Sequence, residues 1–252
     1  MKTRHAGIPV RLTRTGFPSL LIARLNTEPI KMPVLFFAKV LFSIALVAVV
    51  TATATSSPSA AAKPGDWRVF DTIELRSAKL EKFKKWTDVL KRYEAEEPEE
   101  LQKCTITAAQ KCHLAKWRIF LKKISERPEL EQLALVNAYL NKWLYVLDPV
   151  NYGEKDYWAT PKQFLHRSGD CEDYAIAKMK SLQHLGLPSD RMRILVLQDL
   201  NLKVGHAVLL VEYKGKVLVL DNQISKVIEQ SRIKHYKPIY SINESAWWLH
   251  RS

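Results

Sequence analysis

Glycine and proline are scarce in this chain, at eight and twelve of 252 residues, which excludes a collagen-like repeat and a disordered low-complexity tail. Three cysteines are too few for a disulfide-dense miniprotein, and an odd number leaves at least one thiol free of any internal bridge. No EF-hand loop is present, and no repeat interrupts the pattern of the chain. With 47% hydrophobic residues, the length suits one domain with a substantial core. A net charge of +13 suggests an anionic partner, but residues 1–62 hold seven Lys/Arg and one Glu, so +6 of it sits there. The other +7 is interleaved with Glu and Asp, which serves solubility and does not make a nucleic-acid groove; no nucleic-acid partner is expected.

Residues 34–50 read VLFFAKVLFSIALVAVV, apolar around Lys39, with Arg24 and Lys31 before them and TATATSSPSAAAKPG after. A basic stretch, an apolar core and small residues offering cleavage at Ala54 or within 60–62 follow the grammar of an export signal. The core over 40–50 has 11 residues, too short to cross roughly 30 Å of hydrocarbon at about 1.5 Å per residue. The alternative is an uncleaved inner-membrane anchor, which would have to recruit 34–39, tilt and snorkel Lys39. Met32 directly precedes the run, so residues 1–31 are either a misassigned start or a long basic n-region. The expected organisation is a leader over 1–62 and one domain over 63–252, mainly helical over 63–150 and a helix plus a sheet over 151–252.

Export permits disulfides. Cys104 and Cys112 are eight residues apart, and on a straight helix about 12 Å would separate their Cα atoms, beyond disulfide reach. A Cys104–Cys112 bridge therefore requires a loop, and TITAAQK between them suits one. Cys171 is then the odd thiol. A zinc site from Cys104, Cys112 and His113 lacks a fourth ligand at ordinary spacing.

Phe83, Trp86, Leu90 and Tyr93 recur at three- and four-residue steps, predicting an amphipathic helix over 73–97. Leu114, Trp117, Leu121 and Ile124 predict a second, and Leu133, Val136, Leu140, Trp143 and Leu147 a third after Pro128. Aromatics at that spacing read as core packing. From Asp148 the texture changes to DPVNYGEKDYWATPKQFLHRSGDCEDYA, a long connection punctuated by Pro149, Gly153, Pro161 and Gly169; connections of that length tend to carry function. A further helix follows, with Cys171, Ala175, Met179, Leu182 and Leu185 on one stripe and Gly186 and Pro188 to stop it. RILVLQDL from Arg193, HAVLLVEY from His206 and KVLVLDNQ from Lys216 then read as antiparallel strands.

Cys171 falls in the first turn of its helix, where the positive end of the helix dipole favours thiolate. If Lys214 and Gly215 form a two-residue turn, Tyr213 pairs with Lys216, Val208 lies opposite Asp221 and His206 opposite Gln223. His206 and Asp221 are then diagonal neighbours on one face, about 7–8 Å apart at Cα, within reach of an imidazole–carboxylate hydrogen bond. A thiol, a base and an orienter make the constellation of a thiol hydrolase.

GDCEDYAIAK, GHAVLLV and VLDNQ, preceded by DYWATP, resemble the bacterial transglutaminase-like cysteine proteinases of the LapG type across the whole mature chain. The resemblance implies an α+β, papain-like/transglutaminase-like fold with a helical N-terminal half and an antiparallel sheet in the C-terminal half. It implies Cys171 as nucleophile, His206 as base and Asp221 as orienter, in a periplasmic endopeptidase that releases a large surface adhesin, and so controls biofilm attachment, by cutting near its N-terminus at an Ala-Ala-Gly-type site. An inner-membrane cyclic-di-GMP receptor that sequesters the protease is implied with it. Two other functions fit the same residues: acyl transfer to an amine, as in transglutaminases, and a noncatalytic periplasmic binding protein that keeps the fold.

Asp170, Glu172 and Asp173 crowd the thiol and oppose thiolate formation. They read either as helix capping, with Asp170 as N-cap, or as ligands of a hard divalent cation. The resemblance implies calcium, with Asp170 and Glu172 at the matching positions. For the oxyanion, the backbone N–H of Cys171 is one donor, and Trp158 and Gln163 in the preceding connection are candidates for the second.

Overall fold

The structure is a computed structural model that describes residues 67–96 and 112–251. The leader over 1–62 and Cys104 lie outside the described residues, and no described helix is long and apolar enough to cross a membrane.

The three predicted N-terminal helices form as α1 (Lys84–Ala95), α2 (His113–Ile124) and α3 (Glu129–Leu140). Their apolar stripes supply Trp86 and Val89, then Leu114, Trp117, Leu121 and Ile124, then Leu133, Val136 and Leu140 to one core. The first and third helices are shorter than predicted, Trp143 and Leu147 lying beyond the end of α3. Ile73–Ser77 is strand β1 instead, paired antiparallel with residues at the far end of the chain, a contact that local periodicity cannot report. The long connection is not one loop either. It contains two short helices, α4 (Asp148–Asn151) and α5 (Pro161–Arg167), each with proline in its first turn, where the missing N–H costs nothing.

Helix α6 (Cys171–His184) runs through the core and is buried on every side for most of its length, not along a single stripe. Lys180 escapes the cost of burial by pairing with Glu244, and Ser181 accepts the Trp117 indole N–H at 2.8 Å.

Strands β2 (Met192–Asp199), β3 (Val204–Tyr213) and β4 (Lys216–Leu220) form where predicted. They are joined by β5 (Ile228–Glu229), β6 (Tyr236–Ile242) and β7 (Trp247–Arg251), which were not predicted. Among the described residues the sheet has seven antiparallel strands in the order β1-β7-β6-β2-β3-β4-β5. Lys214 and Gly215 both have positive φ, 51° and 78°, the signature of a two-residue type I′ turn. Tyr213 therefore pairs with Lys216, and the ladder runs to Leu209 opposite Leu220, leaving Asp221 as the first residue beyond β4.

Alternate residues of the central strands feed two cores. Ile194, Leu209, Val211, Leu218 and Leu220 pack with α6; Leu195, Leu197, Val208, Leu210, Val217 and Val219 pack on the other face with Val69, Ile233 and Tyr236. Coverage of both faces is why HAVLLV is a continuous apolar run. At about 1.5–3 kcal/mol for each fully buried aliphatic side chain, this double burial makes β2–β4 a rigid floor for the residues at their ends.

Candidate active site

Cys171 is the first residue of α6, with Asp170 as the residue that caps it. The approach to it is fixed by Asp173, whose two carboxylate oxygens accept the backbone N–H groups of Ala159 (2.7 Å) and Asp170 (3.2 Å). Gly169 lies against the same carboxylate: a Cβ there would sit 2.0 Å from Asp173 Oδ2. The GDCED segment thus needs glycine at 169 to let the chain pass and Asp173 to hold it. The Gly169 carbonyl in turn accepts the N–H of Val146 at 2.9 Å, and Tyr145 bridges to Gly169, near enough to Cys171 to feel its charge.

The Cys171 thiol is free and partly exposed. Its sulfur lies 3.2 Å from Glu172 Oε2, with the Ala207 amide and the Tyr145 side chain near enough to act on it electrostatically. Ala207 adjoins His206 on β3. Burial pushes the thiol well above its ordinary value, the Glu172 and Asp170 carboxylates push it further, and the Ala207 amide opposes them. The helix dipole that favours thiolate is outweighed in this setting.

His206 and Asp221 meet as the hairpin count requires. Nε2 of His206 is 3.0 Å from Asp221 Oδ1, with both side chains buried. That leaves Nδ1 as the ring nitrogen with no hydrogen bond among the described residues, available for proton exchange. Asp221 Oδ1 also accepts the Gln223 N–H at 2.8 Å, Oδ2 accepts the Tyr236 hydroxyl, and the Asp221 carbonyl accepts Asn141 Nδ2 at 2.8 Å. Burial alone would raise the Asp221 carboxyl; the hydrogen bonds from His206, Tyr236 and Gln223 outweigh it and hold it below its ordinary value.

On the other side of the thiol lies a set of carboxylates wider than the predicted trio. Ligand oxygens of Asp148, Asp156 and Glu172 lie within 4.8 Å of one another, as do those of Asp148, Asp170 and Asp173. Asp148 Oδ1 and Asp170 Oδ1 are buried with no hydrogen-bond partner among the described residues. Burial and the neighbouring charges raise Asp148 to about 6 and Glu172 to about 9, and raise Asp170 as well. Orphaned buried carboxylate oxygens from several segments are the donor chemistry of a hard dication, and Asp148, Asp170 and Glu172 fit one. Asp173, predicted as a ligand, is within reach, but both its oxygens serve backbone amides. Asp148 and Asp156 were missed because they fall in the connection read as a loop, although its DP and KDYW acidic positions were the available signal.

The predicted oxyanion donors are spent elsewhere. The Trp158 indole N–H goes to Asp156 Oδ1 at 3.1 Å, and its ring packs edge-on against Trp86 with centroids 6.0 Å apart. Gln163 closes a capping box with Thr160 at the start of α5, and its Nε2 donates to the Tyr157 hydroxyl at 2.9 Å. A glutamine at the third helical position is drawn to the cap by the helix's own unpaired amides. Tyr145, half exposed beside the thiol, and Tyr236, behind Asp221, had no local sequence signal.

The description of the bacterial transglutaminase-like cysteine proteinases matches residues 93–250. Among solved structures, Legionella pneumophila LapG is 30% identical to this chain, covering 65% of it and 86% of its own length with a TM-score of 0.51. The calcium-bound form of that protein gives the same figures; the EGTA-treated form gives 29% identity, 66% and 86% coverage and a TM-score of 0.52. No curated protein matches the chain.

Proposed function

The chain belongs to the bacterial transglutaminase-like cysteine proteinases, whose match spans more than half of its length, and from that premise we propose that it is a calcium-dependent periplasmic endopeptidase using Cys171, His206 and Asp221. The observation that carries the proposal is a free thiol at the start of α6, near the Ala207 amide that follows the buried His206–Asp221 pair's imidazole on β3.

In this reading His206 Nδ1 takes the Cys171 proton while Asp221 keeps Nε2–H oriented and stabilises the imidazolium. The thiolate attacks the scissile carbonyl. The N–H of Cys171, which has no intrahelical partner at the first helical position, faces the developing oxyanion. The imidazolium then gives its proton to the leaving amine, and water, deprotonated by His206, releases the acyl group. A calcium ion held by Asp148, Asp170 and Glu172 would supply positive charge against the carboxylates that disfavour thiolate; the LapG structure solved with calcium supports that choice of ion.

The substrate we propose is a large surface adhesin cut near its N-terminus, with an inner-membrane cyclic-di-GMP receptor restraining the protease. Cys104 and Cys112 form a disulfide in this proposal, leaving Cys171 available. Non-reducing peptide mapping checks the pairing, and a disulfide peptide containing Cys171 would overturn both it and the catalytic assignment. The functional test is incubation of the purified mature protein with the N-terminal region of a large adhesin from the same cell, read by intact mass. Two fragments summing to the substrate plus one water are expected, and none with Cys171→Ala. Incorporation of a labelled amine in place of water would make the protein an acyltransferase; an uncut substrate would remove the endopeptidase assignment.

A further inference from the structure

Tyr236 starts β6 and pairs with Asp199 on β2, yet its hydroxyl reaches past β3 to a residue that follows β4. The phenol is buried, packed edge-on between the rings of His206 (centroids 5.8 Å apart) and His235 (4.6 Å). Its O–H donates to Asp221 Oδ2. The two oxygens of Asp221 thus have separate tasks. Oδ1 serves His206 and the Gln223 amide, while among the described residues the hydrogen-bond partner of Oδ2 is Tyr236. Without it, rotation of the carboxylate about its last bond would be resisted only by the bonds at Oδ1, and Oδ1 would hold its aim at Nε2 less firmly.

We propose that Tyr236 is a positioning residue for the reaction: it fixes the plane of Asp221, which in turn fixes the His206 ring. This rests on the triad reading above. The ring contacts need only the phenyl body, so Tyr236→Phe removes the hydroxyl and keeps the packing. A buried hydrogen bond to a charged group, if lost wholly in the transition state, corresponds to a rate effect of about 10- to 100-fold.

The experiment is a double-mutant cycle on cleavage of an adhesin N-terminal fragment, using wild type, Tyr236→Phe, Asp221→Asn and the double variant, with thermal melts giving the folded fraction to which kcat is referred. Tyr236→Phe should lower kcat by about 10- to 100-fold with KM changed less than about twofold. In the Asp221→Asn background the same change should cost less than about twofold, because the residue it acts through is already lost. Wild-type kcat for Tyr236→Phe beside an impaired Asp221→Asn overturns the positioning role alone. Equal losses in both backgrounds also overturn it, since Tyr236 would then act by another route. Full activity of Asp221→Asn overturns the triad reading itself.

Discussion

Asp221 and Asp170 are both buried carboxylates within the same site, yet burial has opposite outcomes for them. Asp221 is held below its ordinary value because three donors of the chain outweigh desolvation. Asp170 is raised, burial coming first, and one of its oxygens has no hydrogen-bond partner among the described residues. The His206 side of the site is complete in itself, a hydrogen-bonded unit on strands buried on both faces. The α6 side concentrates Asp148, Asp170 and Glu172 and supplies too few donors. A buried carboxylate that the chain does not satisfy costs several kcal/mol unless it protonates or binds a cation, so one half of the site is preorganised and the other carries the donor chemistry a cation would use.

The largest expected effects would break the comparison at its centre. Cys171→Ala should abolish cleavage, and His206→Ala should lower kcat by about 10³- to 10⁴-fold, while Asp221→Asn loses less because the amide still bonds but cannot stabilise imidazolium; steady-state cleavage of the adhesin fragment measures all three. A stability measurement then sharpens the contrast. Asp170→Asn keeps a good helix cap and removes one repelling charge, so in EGTA it should raise the unfolding free energy and with it Tm, whereas Asp221→Asn should lower both, the free energy by about 1–3 kcal/mol in each case. Melts in which both variants move in the same direction would erase the distinction between the two carboxylates.

A smaller effect comes from His250, outside both halves. It is buried between Thr72 Oγ1 (2.8 Å) and Ser241 Oγ (2.9 Å), and burial, helped by the Arg193 charge, pushes it down to about 4. The unfolded chain protonates this histidine near its ordinary value of about 6.5, the folded one only near 4, so its contribution is fully present above about 6.5 and is lost as pH falls toward 4. A loss on the order of 2 kcal/mol over that window is expected from denaturant titrations, and His250→Gln should flatten it; an unchanged slope would mean that other groups set the acid limb.

How much of this was legible in the sequence follows the range of the contacts. The α6 start, the Lys214-Gly215 turn and the register that brings His206 to Asp221 could be read because turn chemistry and strand parity are local. β1, β6 and β7 could not, because β1 pairs with the last strand of the chain and β6 lies against β2 across more than thirty intervening residues. Tyr236 was hidden for the same reason. Gln163 misled because an amide near the nucleophile reads as an oxyanion donor until the Thr160 cap claims it. Asp148 was obscured by its proline, which suggested a loop but opens α4.

The claim that the α6 half is completed by an ion is tested most directly by melting purified Cys171→Ala in EGTA and then with rising calcium or magnesium, beside Cys171→Ala/Asp148→Asn. This readout does not depend on turnover. Calcium a hundredfold above its Kd should add about 2.7 kcal/mol, raising Tm by about 5–10 °C. Magnesium should do less because its small octahedral shell suits an irregular carboxylate set poorly, and the Asp148→Asn background should lose most of the response. A Tm that does not change from EGTA to saturating calcium would contradict the account.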